Sequence, residues 1–283
     1  MSTILACTDG SQYAGSLCQH AAWVASKANA GVHVLHVIER TEAGGETNLS
    51  GNLGFDASTE LLEELVSLDE AHARVARLRG KALLQDAERQ LREAGISEVT
   101  TTQRHGSLVE TLEEFEAQAE LVVIGKRGEH ADFAKGHLGS NLERVVRTAT
   151  IPILVASRAF KPVEKVMIAF DGGTSALKAV HYASKEPLFK GCELHLVSVG
   201  KAGSSLEKDL DDAATGLRGA GFEVKAAHLQ GDVEDVITAE VTSRGIDLLV
   251  MGAYGHSKIR QMVIGSTTTS LVRTCLVPIL LFR

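Results

Sequence analysis

No stretch of this sequence is dense enough in lysine and arginine to coat a nucleic acid, and the formal net charge is -7. No apolar run reaches the length of a membrane span. The opening "MSTILACTDG" has only a short apolar run before Asp9, so neither a secretory signal nor an anchor is expected there. A soluble cytoplasmic protein is the expectation. The four cysteines, Cys7, Cys18, Cys192 and Cys275, form no CxxC pair and are expected as reduced thiols in apolar surroundings. His-x-x-x-His and Cys/His quartets are missing, which argues against zinc. A G-x-S-x-G elbow is missing, which argues against acyl transfer. There is no G-x-x-x-x-G-K-[ST] loop and no G-x-G-x-x-G after a first strand, so neither common phosphate motif applies. What remains is a globular composition, 44% hydrophobic and 23% charged, with core material for one large domain or two ordinary ones in 283 residues.

The chain says the same thing twice. "ILACTDGSQYAGSLCQHA" (4–21) parallels "VMIAFDGGTSALKAVHYA" (166–183), and "GVHVLHVIE" parallels "CELHLVSVG". "LVVIGKRG" parallels "LLVMGAYG", and "LGSNLERVVRTATIPILVA" parallels "IGSTTTSLVRTCLVPILLF". Four matched blocks in one order indicate duplication. The offset shrinks from 162 (Asp9 to Asp171) to 126 (Gly139 to Gly265), so the first copy carries an insert, placed at about 40–75. Its front, "TEAGGETNLSGNLGFDAST", reads as a loop. "ELLEELVSL" reads as an added helical piece, whose Leu61, Leu62, Leu65, Val66 and Leu68 are expected to pack on the first domain or cover a cavity; recruiting a protein partner is the alternative. A following helix has an apolar seam at Val75, Leu78, Ala82, Leu84, Ala87, Leu91 and Ala94. Polar residues and Pro162 in "SRAFKPVEK" mark the boundary, giving expected domains at 1–157 and 162–283.

Within each half, apolar runs alternate with amphipathic ones. In the second half the strands read "VMIAF", "ELHLVSV", "EVKAAHL", "LLVMG" and "PILLF". Such strands joined by helices predict an α/β fold of two tandem five-stranded parallel-sheet domains, each a Rossmann-like three-layer sandwich. Ligands on such sheets bind beyond the carboxyl ends of the strands, where strand order reverses.

Asp171 and Gly252 fall at those carboxyl ends in the second half. There the glycines run G-x-x-G, nine residues, then G-S: Gly252, Gly255, Gly265, Ser266. Glycine lets backbone N–H groups approach an anion, and Ser266 and Thr267 stand at the predicted start of the last helix, where amides and dipole favour phosphate. Taken alone the spacing also suits a plain turn and helix cap. The first half departs from it. Gly125 and Gly128 are followed by ten residues before Gly139-Ser140, Glu129 sets a carboxylate by the presumed phosphates, and "NLER" replaces "TTTS". Lys126 and Arg127 would either offset Glu129 or fill the pocket. His33, His36 and His195 lie on predicted strands, the first two on opposite faces, and are expected as satisfied core histidines rather than metal ligands.

In combination, the Asp-ended first strand, "LHV" in the second strand of copy one, G-x-x-G-x9-G-S after the fourth and the final "VPILLF" resemble the universal stress protein family, twice over. The resemblance implies ATP binding, with or without Mg²⁺, in members that keep the full glycine motif. By position it implies that Asp171 meets the adenine or ribose side and that Val199 offers backbone to the adenine. Gly252, Gly255, Gly265, Ser266 and Thr267 would wrap ribose and phosphates. The first-half counterparts, Asp9, Val37, Gly125, Gly128, Gly139 and Ser140, form a degenerate copy. It further implies pairing through the last strand, here an internal pseudo-dimer of "IPILVAS" with "VPILLFR", with a homodimer of chains as a further step. A nucleotide-dependent regulatory module in stress response is the expected function; a nucleotide-free scaffold or a slow, self-phosphorylating ATPase are the alternatives. No catalytic residue and no metal ligand is assigned.

Overall fold

The structure is a computed structural model. It describes residues 2–11, 13–39, 55–126, 140–253 and 265–283, the side chains of 55–62 and 140 excepted. The first half runs β1 (Thr3–Cys7), α1 (Ala14–Ala28), β2 (Gly31–Ile38), α2 (Phe55–Glu93), β3 (Val99–His105), α3 (Leu108–Glu116), β4 (Leu121–Gly125), α4 (Ser140–Thr148) and β5 (Ile153–Ala156). The second runs β6 (Lys165–Ala169), α5 (Thr174–Lys185), β7 (Glu193–Val199), α6 (Ser205–Gly219), β8 (Val224–Leu229), α7 (Val233–Arg244), β9 (Leu248–Gly252), α8 (Ser266–Thr274) and β10 (Ile279–Phe282). A short 3₁₀ turn, Pro187–Phe189, follows α5.

All ten strands form one sheet in the order β3-β2-β1-β4-β5-β10-β9-β6-β7-β8. Each half is parallel throughout, and the halves meet through the antiparallel pair of β5 and β10. In that pair Leu154 faces Leu280, its own counterpart in the repeat, so a pseudo-twofold axis passes between them. The expected internal pairing of the two last strands is therefore present. Alternating residues of the continuous apolar strands feed two cores. One face carries Ile4, Val32, Leu121, Ile168 and Leu196 under α1, α2, α5 and α6. The other carries Leu5, Leu35, Val122, Met167 and Leu249 under α3, α4, α7 and α8. Each core contains residues of both halves, giving three layers across the molecule.

The insert departs from expectation. A separate helical piece followed by a second helix is replaced by one helix, α2, of 39 residues against 15 in its counterpart α6. Of the predicted seam, Leu84, Ala87 and Leu91 are buried, whereas Val75, Leu78, Ala82 and Ala94 are exposed. Leu65, Val66 and Leu68, expected to pack on the first domain, are exposed too. The reason is length. At about 1.5 Å per residue α2 runs close to 60 Å, more than twice the roughly 16–26 Å reach of a strand of five to eight residues. Only its carboxyl-terminal part has sheet beneath it. The stretch 41–59 reads as loop from the sequence; residues 55–59 instead open α2, and residues 41–54 lie outside the described residues. Among the described residues no helix is long and apolar enough to cross a membrane.

Candidate functional site

In each half the chain lays down three strands to one side and returns to place the fourth beside the first, so order reverses between β1 and β4 and between β6 and β9. Carboxyl-end crevices of parallel α/β sheets open at such points. Asp171 follows β6 by two residues and Gly252 ends β9, and the two strands pair side by side, Ala169 with Met251. Asp9 and Gly125 take the same places after β1 and on β4. The aspartates do the same local work. Asp171 Oδ1 accepts from Gly173 N at 2.9 Å, and Asp9 Oδ1 from Ser11 N at 2.9 Å. The glycine after each has φ +74°, a left-handed turn that a side chain strains. Val199 ends β7 opposite Leu229, and Val37 sits one residue before the end of β2, opposite Arg104.

Gly252 is held between two helix starts. A Cβ on it would lie 2.9 Å from Ser175 Cβ in the first turn of α5. Thr268 Oγ1, in the first turn of α8, donates to the carbonyls of Gly252 at 3.3 Å and Ala253 at 3.4 Å. Helices α5 and α8 flank the sheet from opposite faces, so both N-termini converge on the crevice. Gly265 is the N-cap of α8 and makes no side-chain cap bond. The contrast is α7, where Asp232 accepts from the amides of Glu234 and Asp235. With a glycine at the cap, the first-turn amides of α8 keep their donors for an outside acceptor. Neither α5 nor α8 has an acidic residue in its first turn. Ser266 is exposed and Thr267 half-buried at that turn, whereas Thr268 is buried and Ser270 Oγ donates to Glu234. The hydroxyl run therefore divides, with the first two residues facing out and later ones tying the fold. Ser175 and Thr268 were not singled out from sequence; a small residue opening α5 was the available signal. Gly255 lies outside the described residues. The turn after β6 is also bordered by α6, whose Leu206 and Asp209 stand near Gly172.

The first-half site differs. Leu83 of α2 stands directly over Gly10, well inside the space a Cβ would need. The first turn of α4 carries Glu143, a carboxylate where its counterpart α8 has none. Lys126 Nζ donates to the carbonyl of Cys275, at the end of α8. Ser140 begins α4, as Ser266 begins α8. Gly128 and Gly139 lie outside the described residues.

Other candidates behave as structure. All four cysteines are buried free thiols, and burial pushes Cys7 up to about 12 and Cys18 up to about 11. His33 pairs with Thr102 Oγ1 at 2.8 Å, His36 with the carbonyl of Thr8 at 2.9 Å. His195 Nε2 lies 2.7 Å from Glu193 Oε1, and desolvation chiefly lowers the His195 pKa. Among the described residues no group of three or more His, Cys, Asp or Glu is placed to hold a metal. A depression of about 590 Å³ lined by Glu164, Lys165, Lys190, Glu193 and Glu223 opens at the amino-terminal ends of β6–β8, the edge opposite to the crevices.

Fold and crevice define a tandem doubly wound α/β protein with an anion-compatible helix start at one carboxyl-edge switch point. A profile of the universal stress protein family matches residues 1–157 and 162–283. The chain is 39% identical over 287 residues to Universal stress protein Slr1230 of Synechocystis sp., covering 100% of both chains. A universal stress protein from Archaeoglobus fulgidus superposes with a TM-score of 0.72 at 21% identity, covering 99% of this chain and 98% of that one. Protein PA1789 of Pseudomonas aeruginosa superposes with a TM-score of 0.64 at 18% identity, covering 100% and 92%. The chain belongs to the universal stress protein family, as a member with two tandem domains.

Proposed function

We propose that this protein is an ATP-binding regulatory module of the stress response, with its nucleotide site in the second half and a degenerate copy in the first. One observation carries the reading: the glycine-capped start of α8 faces the β6/β9 switch point, with no carboxylate in its first turn or in that of α5. Triphosphate would lie on the amides and hydroxyls of Gly265, Ser266 and Thr267, with Gly252 and Gly255 allowing close backbone approach. Asp171 would meet the ribose or adenine side, and the backbone of Val199 the adenine edge. Mg²⁺, where present, would be held by the phosphates and water. Asp9, Val37, Gly125, Gly128, Gly139 and Ser140 would not assemble a working site, since Glu143 in the first turn of α4 opposes an anion. In this reading the chain divides between residues 157 and 162. Regulation requires that ATP bind one of two states of the molecule more tightly.

The test is calorimetric titration of the intact chain with ATP and Mg²⁺. About one ATP per chain is the expected result. About two would overturn the degenerate first copy, and none would overturn nucleotide binding. The informative variant is Gly265→Val. Its φ is −57° and, among the described residues, the nearest atom to a Cβ there is Thr268 Oγ1 at 3.5 Å, so the substitution is expected to leave the described packing in place while narrowing the phosphate approach. It is expected to weaken ATP by about tenfold or more, roughly 1.4 kcal/mol, with an unchanged melting curve.

A further inference from the structure

The middle of α2, residues 63–81, has features that neither the fold nor the nucleotide reading uses. Leu65, Val66, Leu68, Val75 and Leu78 are between 42% and 63% exposed. Four of them, Leu65, Leu68, Val75 and Leu78, form one stripe at spacings of three, seven and three. Helical residues so spaced share a face, and contiguous exposed apolar faces mark interaction surfaces. The spacing reads the same from either end. Its centre falls between Ala71 and His72, since 68 and 75, like 65 and 78, are equidistant from it.

The charges are segregated about the same centre. Glu63, Glu64, Asp69 and Glu70 lie before it with no lysine or arginine among residues 63–70. Arg74, Arg77, Arg79 and Lys81 lie after it with no carboxylate among residues 72–81. A second α2 laid alongside in parallel would set acid on acid and base on base. Laid antiparallel, it sets each acidic half along the partner's basic half and brings Leu68 opposite Val75. Like charges disfavour the first arrangement and opposite charges favour the second, as they set orientation in coiled coils.

We propose that two copies of this chain associate through an antiparallel pairing of their α2 helices, centred between Ala71 and His72. The occupant is a second copy because the stripe and the charge halves are complementary to themselves, which is what a twofold interface requires. The contact lies on the insert, apart from the β5–β10 junction that joins the halves within one chain. It is independent of the nucleotide proposal.

Sedimentation of the full chain, without nucleotide, from about 5 to 100 µM tests it, with dissociation constants in that range or tighter expected of such a seam. The wild type is expected at twice the chain mass of 30.1 kDa at the upper concentrations. Leu68→Glu/Val75→Glu is expected to be monomeric with an unchanged melt, because both positions are exposed. Orientation is read by oxidative cross-linking, with the four native thiols buried. A mixture of Leu68→Cys and Val75→Cys chains is expected to cross-link at least fivefold more than either alone. A parallel pair would instead link each variant to itself, about 10 Å being too far for equal residues in the antiparallel one. A wild type that stays monomeric throughout overturns the proposal, whether another protein or another part of this chain covers the stripe. So does a double variant that remains dimeric, or cross-linking of like with like.

Discussion

Gly252 and Gly265 belong to one glycine pattern, yet the fold asks different things of them. Gly252 is small because α5 leaves no room: an added Cβ would stand 2.9 Å from Ser175 Cβ. Gly252→Ala is therefore expected to destabilise the protein by about 1–3 kcal/mol through overpacking. Ser175→Gly in the same chain should recover part of that loss, and urea unfolding of the two variants decides it. A cost under about 0.5 kcal/mol, typical of unconstrained surface sites, would mean α5 yields at this contact. Among the described residues a Cβ on Gly265 meets nothing closer than Thr268 Oγ1 at 3.5 Å, ordinary van der Waals contact, so nothing described there requires its smallness. Loss of ATP affinity in Gly252→Ala would thus say little about phosphate contact, and Gly265→Val says much more.

The helix α2 holds two environments in one uninterrupted element. Over the sheet, Leu84 and Leu91 are buried, and Leu84→Ala is expected to cost about 2–5 kcal/mol as a cavity in the core. About 14 Å further toward the amino end, Val75→Ala should lie within about 0.5 kcal/mol of wild type when unfolding is measured at a concentration where the chain is monomeric. Equal costs at the two positions would contradict a helix that projects past the sheet. The counterparts α4 and α8 differ in the charge at their starts. Both begin with a serine that follows a glycine, but Glu143 stands in the first turn of α4 and no carboxylate in that of α8. A carboxylate there opposes an anion through the helix dipole and by direct repulsion.

Across the molecule, the halves are fused rather than merely tethered. The sheet is continuous through β5 and β10, and both apolar cores draw on the two halves. Further ties cross between them: Arg283 donates to the carbonyl of Thr148 at 3.2 Å, and Lys27 to that of Lys190 at 3.0 Å. Unfolding is therefore expected to be a single transition. The only tryptophan, Trp23, lies in α1 of the first half, so its fluorescence reports that half while far-ultraviolet circular dichroism reports both. Coincident urea curves are expected from the two probes. A separated fluorescence transition would mean the β5–β10 junction does not couple the halves.

Much of this was legible before any coordinates. Strands such as "VMIAF" and "LLVMG" are apolar on both faces and must lie between helix layers, so the duplication alone predicts two parallel sheets. The glycine after Asp9 and Asp171 marks the same turn in both copies, and the position of Ser266 at the start of α8 follows from the pattern. The register of Leu154 on Leu280 was foreseeable only as a pairing of last strands. The fates of Leu65, Val75 and Leu78 were not legible at all. Helical period says which residues share a face, but whether that face is covered depends on how far the sheet extends beneath it. The same holds for Gly252, Leu83 and Lys126: each is defined by a neighbour distant in sequence, Ser175, Gly10 and Cys275. Local pattern dictated the elements and their order; the reach of one element over another, which only packing in three dimensions supplies, decided which surfaces were left open for function.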